Sequence, residues 1–272
     1  MRFRLMAAAL AVSSTVTTLA APAFAADVAT PSYQIKLRVS PAAVDANGNP
    51  TAAAQQALGI GAQGTPDDEL YADTSDRFYG NHNWTMRVQL PQGSTTCKLT
   101  YKYRVPLADS TLSKATVDDG LNDARDQRFD SSDTNYEAQV NASAHISTLD
   151  FSNKKTMSCP NGLPEGQAAV DALAAQEPGK MTKQTSTTIS QQPVGASAPV
   201  TERNWAANVG GVSSELQVTK IGGQYYVEVS DEDGSRTDAI DKRDRMTNAL
   251  KSAGLYMDSD AFKTNYVLAG SL

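Results

Sequence analysis

The sequence predicts an α+β fold in which antiparallel strands are interspersed with helices. Residues 84–105 carry the strongest signal, because two segments of alternating apolar and polar residues flank the turn sequence Pro-Gln-Gly-Ser. Period-two alternation is typical of strands with one apolar and one polar face. A second pair of predicted strands, residues 214–221 and 224–230, is joined at Gly222-Gly223, which is a hairpin signal. Hairpins favour an antiparallel sheet over a doubly wound parallel one.

The first half of the chain is predicted to carry further strands and two helices. Residues 33–39 alternate cleanly and predict the first strand. The alanine-rich residues 52–58 predict a short helix, and the apolar spacing within residues 107–129 predicts a longer one. The next strands are predicted at residues 136–141 and 144–151, with residues 156–159 pairing beside them.

The second half is predicted to carry two helices, a loop and a last strand. Residues 165–176 predict a helix. Residues 179–201, rich in Ser, Thr, Gln and Pro, predict a long exposed loop or a linker between two halves. Residues 237–253 predict the best-defined helix, with Thr237 as its N-cap. Residues 264–268 predict the strand that closes the chain.

Residues 1–25 have the features of a secretory signal peptide. They begin with Arg2 and Arg4, continue through an apolar segment and end in the small-residue cleavage site Ala23-Phe24-Ala25. Residues 26–272 are then expected to form one exported domain, in the periplasm or the medium. The full chain has a net charge of −6 at pH 7, and cleavage removes two arginines. This acidic balance argues against nucleic acid or a membrane as the partner.

The cysteines and histidines predict a structural bond and no metal centre. Cys97 and Cys159 form an even pair in a chain predicted to be exported, which favours one disulfide. His82 and His145 are isolated in the sequence, so neither a zinc site nor a catalytic relay is predicted from them.

Cations are concentrated on the polar faces of the predicted strands. The polar face of the hairpin at residues 84–105 carries no carboxylate. This polar face has two interpretations. It is either a solvated outer face, which antiparallel sheets commonly have, or the wall of a cavity. Several cations in a cavity are suited to multiply charged phosphates. Six residues are the candidate ligand-binding cations: Lys36, Arg38, Arg87, Lys98, Lys102 and Arg104.

The chain resembles the CYTH family, the triphosphate-tunnel superfamily of adenylyl cyclases and thiamine triphosphatases. The family phrase Y-x-D-T-x-D occurs at residues 71–76, an arginine-bearing strand at residues 86–88 and the sequence L-T-x-K at residues 99–102. Residues 226–230 and Lys263-Thr264 are similar to the C-terminal part of the family. The resemblance implies an antiparallel, barrel-like tunnel with helices packed outside. It also implies that the polar faces line the tunnel and bind a triphosphate or polyphosphate.

The first strand departs from the family pattern. The family opens with E-x-E-x-K, whose glutamates bind a divalent metal and whose lysine binds phosphate, whereas this chain reads Gln-Ile-Lys-Leu-Arg at residues 34–38. Glu137 and Glu228 match later acidic positions and are the candidate catalytic residues, with Mg²⁺ or Mn²⁺ as the implied metal. Two dispersed carboxylates make a poor site for such ions. Metal-dependent hydrolysis is therefore not favoured, and ion pairs with the cations are the other expected role of these glutamates.

The sequence supports two functions from different classes. The first is an exported tunnel protein that binds polyphosphate or an organic triphosphate, with phosphoanhydride hydrolysis left open. The second is a non-catalytic secreted or periplasmic module that binds a protein or another anion. A structural surface protein is disfavoured because the chain has no repeats. Asp73 and Asp76 are expected to stabilise a turn.

Overall fold

The computed structural model describes residues 27–260 and 262–270, so the predicted signal peptide lies outside the described residues. Within them the chain forms a ten-stranded sheet. Its strands are β1 (Ser32–Arg38), β2 (Asp67–Thr74), β3 (Trp84–Pro91), β4 (Thr96–Pro106), β5 (Glu137–Ala142), β6 (Ser147–Ser158), β7 (Val194–Ala196), β8 (Val200–Val209), β9 (Val212–Ile221) and β10 (Gln224–Asp233).

Helices connect the strands and follow the last of them. None of the described helices has the length and apolar character needed to cross a membrane. Single 3₁₀ turns lie at Pro41–Ala43 and Ile189–Gln191. The α-helices are α1 (Ala52–Leu58), α2 (Phe78–Asn81), α3 (Lys114–Asp126), α4 (Gly166–Ala175), α5 (Gly179–Thr185), α6 (Arg236–Ser252) and α7 (Lys263–Ala269).

The sheet closes on itself. Its strand order is β3-β4-β6-β5-β1-β10-β9-β8-β2-β7, and β2 also pairs with β3, which completes a ring. Strand β7 pairs with β2 beside this ring. Among the described strands, the pairing of β1 with β5 is parallel and the others are antiparallel. The predicted α+β fold with an antiparallel, barrel-like sheet is confirmed.

Alternation along the strands separates an apolar outer layer from a polar interior. On β1, Ile35 and Leu37 are 0% and 1% exposed and belong to the same apolar cluster as Met246 and Leu250 of α6. Helix α6 packs against β1, β8, β9 and β10. Burial of each such side chain contributes about 2 kcal/mol. The outer layer therefore stabilises the ring and leaves the polar faces directed inward.

The predicted disulfide between Cys97 and Cys159 is confirmed. Cys97 is the second residue of β4, and Cys159 directly follows β6. The bond therefore ties together the ends of two neighbouring strands. With a sequence separation of 62 residues, chain-entropy reasoning gives a stabilisation of about 4 kcal/mol.

Three of the elements predicted between residues 107 and 159 differ in extent from the structure. Strand β6 is continuous from Ser147 to Ser158, so residues 144–151 and 156–159 are not two paired strands. Buried Asn153 holds its polar middle in place by donating to the Asn135 carbonyl. The predicted helix begins only at Lys114, because Leu112 has a φ of 57° and Ser113 is the N-cap.

Residues 179–201 are not a long exposed loop, and they are not a linker. They form α5, a 3₁₀ turn, β7 and the start of β8. Met181 and Ile189 are fully buried and anchor the segment in the main apolar cluster. A capping box between Thr188 and Gln191 stabilises the turn. The polar composition concealed these few apolar anchors.

The predicted C-terminal elements also need correction. Residues 264–268 are not a strand but part of α7, because Thr264 and Val267 are buried at a helical spacing of three residues. The N-cap of α6 is Ser235 rather than Thr237, since the Ser235 hydroxyl accepts a hydrogen bond from the Asp238 backbone at 3.3 Å. Strands β2 and β8 were not predicted.

Candidate functional site

The inner faces of the strands line a cavity of about 370 Å³, which we call the tunnel. The interpretation of the polar face as a solvated outer surface is therefore wrong. Lys98, the sixth predicted cation, lies in an adjoining groove instead of the tunnel. The other five line the tunnel and are called the tunnel cations: Lys36, Arg38, Arg87, Lys102 and Arg104.

Three tunnel cations are held by carboxylates that lie behind them. Arg87 Nη1 is 3.1 Å from Glu69 Oε2, while Lys102 Nζ and Arg104 Nε are 3.0 and 3.3 Å from Asp150 Oδ2. Both carboxylate side chains are 0% exposed, whereas the cation side chains are 19–29% exposed. The cations therefore stand between the buried carboxylates and the open space of the tunnel.

These ion pairs determine which groups are charged. Burial raises the pKa of Glu69, but Lys263 and Arg87 outweigh it and hold that pKa below its ordinary value. Burial likewise raises the pKa of Asp150, and Lys102 and Arg104 reverse the effect. Burial lowers the pKa of Lys102 to about 8, although Asp150 opposes the decrease. Both carboxylates are therefore ionised near neutral pH, and Lys102 titrates just above it.

The C-terminal helix adds a cation that was not among the six candidate ligand-binding cations. Lys263, the first residue of α7, lies 2.6 Å from Glu69 Oε1 and also forms an ion pair with Glu202. Burial lowers the pKa of Lys263, but Glu202 and Glu69 outweigh it and raise the pKa well above its ordinary value. Burial raises the pKa of Glu202. Lys263 thus neutralises two buried carboxylates of the ring, one on β2 and one on β8.

Carboxylates are more numerous in the tunnel than the sequence predicted. The lining contains equal numbers of acidic and basic residues, and Glu69 and Asp150 lie behind it. The acidic residues that line the tunnel are Asp67, Glu137, Glu202, Glu215, Glu228, Glu232 and Asp260. The basic residues that line it, besides the tunnel cations, are Lys154 and Lys263.

Arg38 differs from the other tunnel cations, since it has no ion pair within the described part of the chain. It is 6% exposed, and its guanidinium carbon lies 3.8 Å from the centre of the Tyr226 ring. Its Nε donates to the Val227 carbonyl at 3.4 Å, while Nη1 is buried without a described hydrogen-bond partner. A buried donor without a partner costs about 1–3 kcal/mol, and more when it is charged. This position therefore favours an anion.

The candidate catalytic residues Glu137 and Glu228 are not brought together. Glu137 is exposed and forms an ion pair with Lys154, whereas Glu228 is buried and lies 3.7 Å from Lys36 Nζ. Strand β1 separates their strands, with its start paired to β5 and its end, Arg38, paired to Glu228. A strand of this length extends about 20 Å. The two glutamates therefore lie toward opposite ends of β1 and cannot share one ion.

The described residues do not fit the divalent-metal site that the family resemblance implies. No group of three or more His, Cys, Asp or Glu side chains among them is placed to hold a metal. On β1, Gln34 donates to Glu232 at 3.2 Å, and Lys36 faces Glu228. An amide donor and an ammonium group thus occupy positions where Mg²⁺ or Mn²⁺ requires oxygen ligands.

Asp73 stabilises the turn that follows β2, as predicted. Its carboxylate accepts hydrogen bonds from the backbone amides of Thr74, Tyr79 and Gly80 at 2.8–3.0 Å. Asp76 accepts one from the Thr74 hydroxyl at 2.5 Å. The Y-x-D-T-x-D phrase therefore has a structural role at the start of α2.

The structure of this chain is similar to solved structures of other proteins. No protein-family model and no curated protein matches the chain. A structure from Hippeastrum, described as a candidate adenylyl cyclase with a dominant triphosphatase activity, shares 15% identity at a TM-score of 0.50, with 88% of this chain and 96% of that chain covered. A candidate adenylate cyclase from Bacillus halodurans shares 12% identity at a TM-score of 0.48, covering 89% and 98%.

The identity to the Hippeastrum protein is low, so the likeness establishes the fold alone. The chain has the CYTH-like triphosphate-tunnel fold, which the sequence resemblance predicted.

Proposed function

We propose that this protein binds a triphosphate or polyphosphate anion in the tunnel and that binding requires no divalent metal. The layered charges of the tunnel carry this proposal. Arg87, Lys102 and Arg104 face the open space, and their counter-charges are buried behind them. Cations held in this way are preorganised, so an incoming phosphate does not have to order them.

The chemistry of the tunnel cations suits phosphate oxygens. Arginine offers two parallel donors to a pair of oxygens, and lysine adds a compact charge. The partly desolvated wall strengthens each contact relative to bulk water. Arg38 supports the same ligand class because its buried guanidinium has no ion pair among the described residues.

Lys36 supports the proposal that binding requires no divalent metal. The Lys36 ammonium supplies a fixed positive charge beside Glu228, on the strand where the family resemblance places metal-binding glutamates. A phosphate can therefore contact fixed cations of the tunnel without a metal between them. Metal-dependent hydrolysis is not proposed, because the described carboxylates form no metal-binding group.

Titration calorimetry with tripolyphosphate in EDTA tests the proposal. Arg38→Met removes a tunnel cation without leaving a carboxylate unpaired, and it should weaken binding by about tenfold or more. Arg203→Met is the matched control, because Arg203 bonds Asn49 and the Asn47 carbonyl and does not line the tunnel. No binding by the wild type, or equal affinity of the wild type and folded Arg38→Met, would overturn the proposal.

A second candidate is a non-catalytic module that binds a protein or another anion. The pairing of tunnel cations with carboxylates favours it, because charges satisfied within the chain do not require a ligand. We rank it below phosphate binding, since the buried carboxylates leave the cations facing the tunnel. A folded protein that binds neither tripolyphosphate nor long-chain polyphosphate would reverse this ranking.

We also propose that the protein is exported after cleavage near Ala25. The disulfide between Cys97 and Cys159 supports export, because such bonds persist mainly in oxidising compartments. N-terminal sequencing of the protein recovered outside the cytoplasm should begin at Ala26. Recovery of only the uncleaved chain inside the cell would contradict this proposal.

A further inference from the structure

Charges of opposite sign line opposite sides of the tunnel. Strands β3 and β4 contribute three cations and no carboxylate to its described lining, and these form the cationic wall: Arg87, Lys102 and Arg104. Strands β8, β9 and β10 contribute four carboxylates and no lysine or arginine to that lining, and these form the acidic wall: Glu202, Glu215, Glu228 and Glu232. In the ring, β9 and β10 are the strands farthest from β4. A ligand that fills the tunnel therefore meets both signs of charge.

Glu215 is a carboxylate of the acidic wall that is available to a ligand. Glu202 is paired with Lys263, and Glu228 is paired with Lys36. The Glu215 side chain, in contrast, has no hydrogen bond or ion pair with any other described residue, and it is partly exposed to the tunnel that it lines. Glu215 thus presents a negative charge that the described part of the chain does not neutralise.

Glu232 lies beside Glu215 on the same inner face. Ser230 of β10 pairs with Glu215 of β9, and Glu232 is two residues further along β10. Diagonal neighbours of this kind lie about 7–8 Å apart, so both side chains can reach one cation. The Gln34 and Gln139 amides donate to Glu232 Oε1, each at 3.2 Å, and so orient this exposed carboxylate.

Arg38 indicates independently that the same ligand carries an anionic group. Its side chain is 6% exposed and lines the tunnel, and its Nη1 is buried without a described hydrogen-bond partner. A ligand with only negative groups would leave Glu215 without a counter-charge, and a ligand with only positive groups would leave Arg38 in the same state. A ligand with both kinds of group satisfies both residues.

The acidic wall suits an ammonium group that keeps its N–H bonds. A primary ammonium has three donors, and carboxylate oxygens accept them. Quaternary and heteroaromatic cations are recognised instead by the faces of aromatic rings. Of the aromatic residues in the described lining, Tyr71 is buried, and guanidinium groups already lie 3.8 and 4.4 Å from the ring centres of Tyr226 and Phe262. The tunnel therefore favours a primary amine over those cations.

We infer that the ligand is a triphosphate ester of a primary amine, with its phosphates on the cationic wall and its ammonium group between Glu215 and Glu232. This inference rests on the proposed function of the tunnel. The acidic wall then selects against phosphates that lack the ammonium group, because they place no counter-charge beside its carboxylates.

Two ligands of nearly equal shape test the inference. In 2-aminoethyl triphosphate an ammonium group replaces the terminal methyl group of n-propyl triphosphate. Calorimetric titration of the protein in EDTA should show that the aminoethyl compound binds about tenfold more tightly, because it adds hydrogen bonds between charged groups. The compound with a trimethylammonium group at the same position should lose this advantage, because it has no N–H donor.

Glu215→Gln should reduce the ratio of the two dissociation constants to about one, because it removes the available charge and keeps the shape of the side chain. Glu165→Gln is the matched control, because Glu165 is exposed and lies outside the described lining of the tunnel. The control should keep the tenfold preference. Both variants should have the thermal stability of the wild type.

The outcomes separate this inference from the proposed function. Equal affinity of the wild type for the aminoethyl and propyl compounds, with tripolyphosphate still bound, would overturn the inference and leave the tunnel function standing. Tighter binding of the trimethylammonium compound, or an undiminished preference in folded Glu215→Gln, would also overturn it. A wild type that binds none of these phosphates would overturn both.

Discussion

Raising the pH from 7 to 9 should weaken phosphate binding by removing the charge of Lys102. Its pKa is about 8, so about nine tenths of these side chains are protonated at pH 7 and about one tenth at pH 9. If only the protonated form binds, the apparent dissociation constant rises in inverse proportion to that fraction, by about tenfold. Burial is the main cause of the low pKa, and Asp150, 3.0 Å away, limits the decrease.

Lys102→Arg is the matched control for this titration, because arginine keeps its charge throughout the pH range. Tripolyphosphate itself gains charge as the pH rises, but this change affects both proteins equally. Calorimetric titrations should therefore show the ratio of the two dissociation constants changing by about tenfold between pH 7 and 9. A constant ratio, in two proteins with equal thermal stability, would refute the assignment of Lys102 as a titrating ligand group.

Three further perturbations test the account of the ring and its charges. Serine at Cys97 and Cys159 should lower the free energy of unfolding by about 4 kcal/mol, and an unchanged urea midpoint would contradict this. Asp150→Asn should lower the free energy of unfolding by about 3 kcal/mol, the lower end of the range for a broken buried pair, because Lys102 and Arg104 lose their counter-charge but are partly exposed. The pKa of Asp150 is lowered, so the wild type should lose this stability as the pH falls through that pKa. If the stability of the wild type and that of the variant depended on pH in the same way, the assignment would be contradicted. Gln34→Glu/Lys36→Glu should bind Mn²⁺ more tightly than the wild type, because it adds two carboxylates on β1 opposite Glu228 and Glu232 of β10. Electron paramagnetic resonance measures the binding, and equal Mn²⁺ binding by the wild type would contradict this prediction.

The strands that could be predicted from the sequence are those with regular alternation. The two segments within residues 84–105 alternate on either side of a turn, and Gly222-Gly223 marks the turn of the second pair, so both hairpins were found. Strand β2 begins Asp-Asp-Glu, which is typical of loops, and only its pairing with β3 and β8 makes it a strand. Strand β8 does alternate at Trp205, Ala207 and Val209, but the polar segment before it concealed the signal.

The same omissions explain what was missed in the tunnel. The tunnel cations were found because they lie on strands with clear alternation. Glu69 lies on β2, Glu202 on β8 and Lys263 on α7, and these three elements were either not predicted or predicted as another type. Asp150 lies on a predicted strand, but its pairing with Lys102 and Arg104 depends on the register between β4 and β6. Register across a ring is set by tertiary pairing and cannot be seen in a single segment.

Metal-independent binding of phosphate in the tunnel is the central claim, and one titration tests it most directly. Tripolyphosphate should be titrated calorimetrically into the purified protein in EDTA and again with excess Mg²⁺. The layered charges of Arg87, Lys102 and Arg104 predict saturable binding in EDTA that does not strengthen with Mg²⁺. Binding seen only with Mg²⁺ would contradict the claim, because it would mean that a metal supplies the charge assigned here to the side chains.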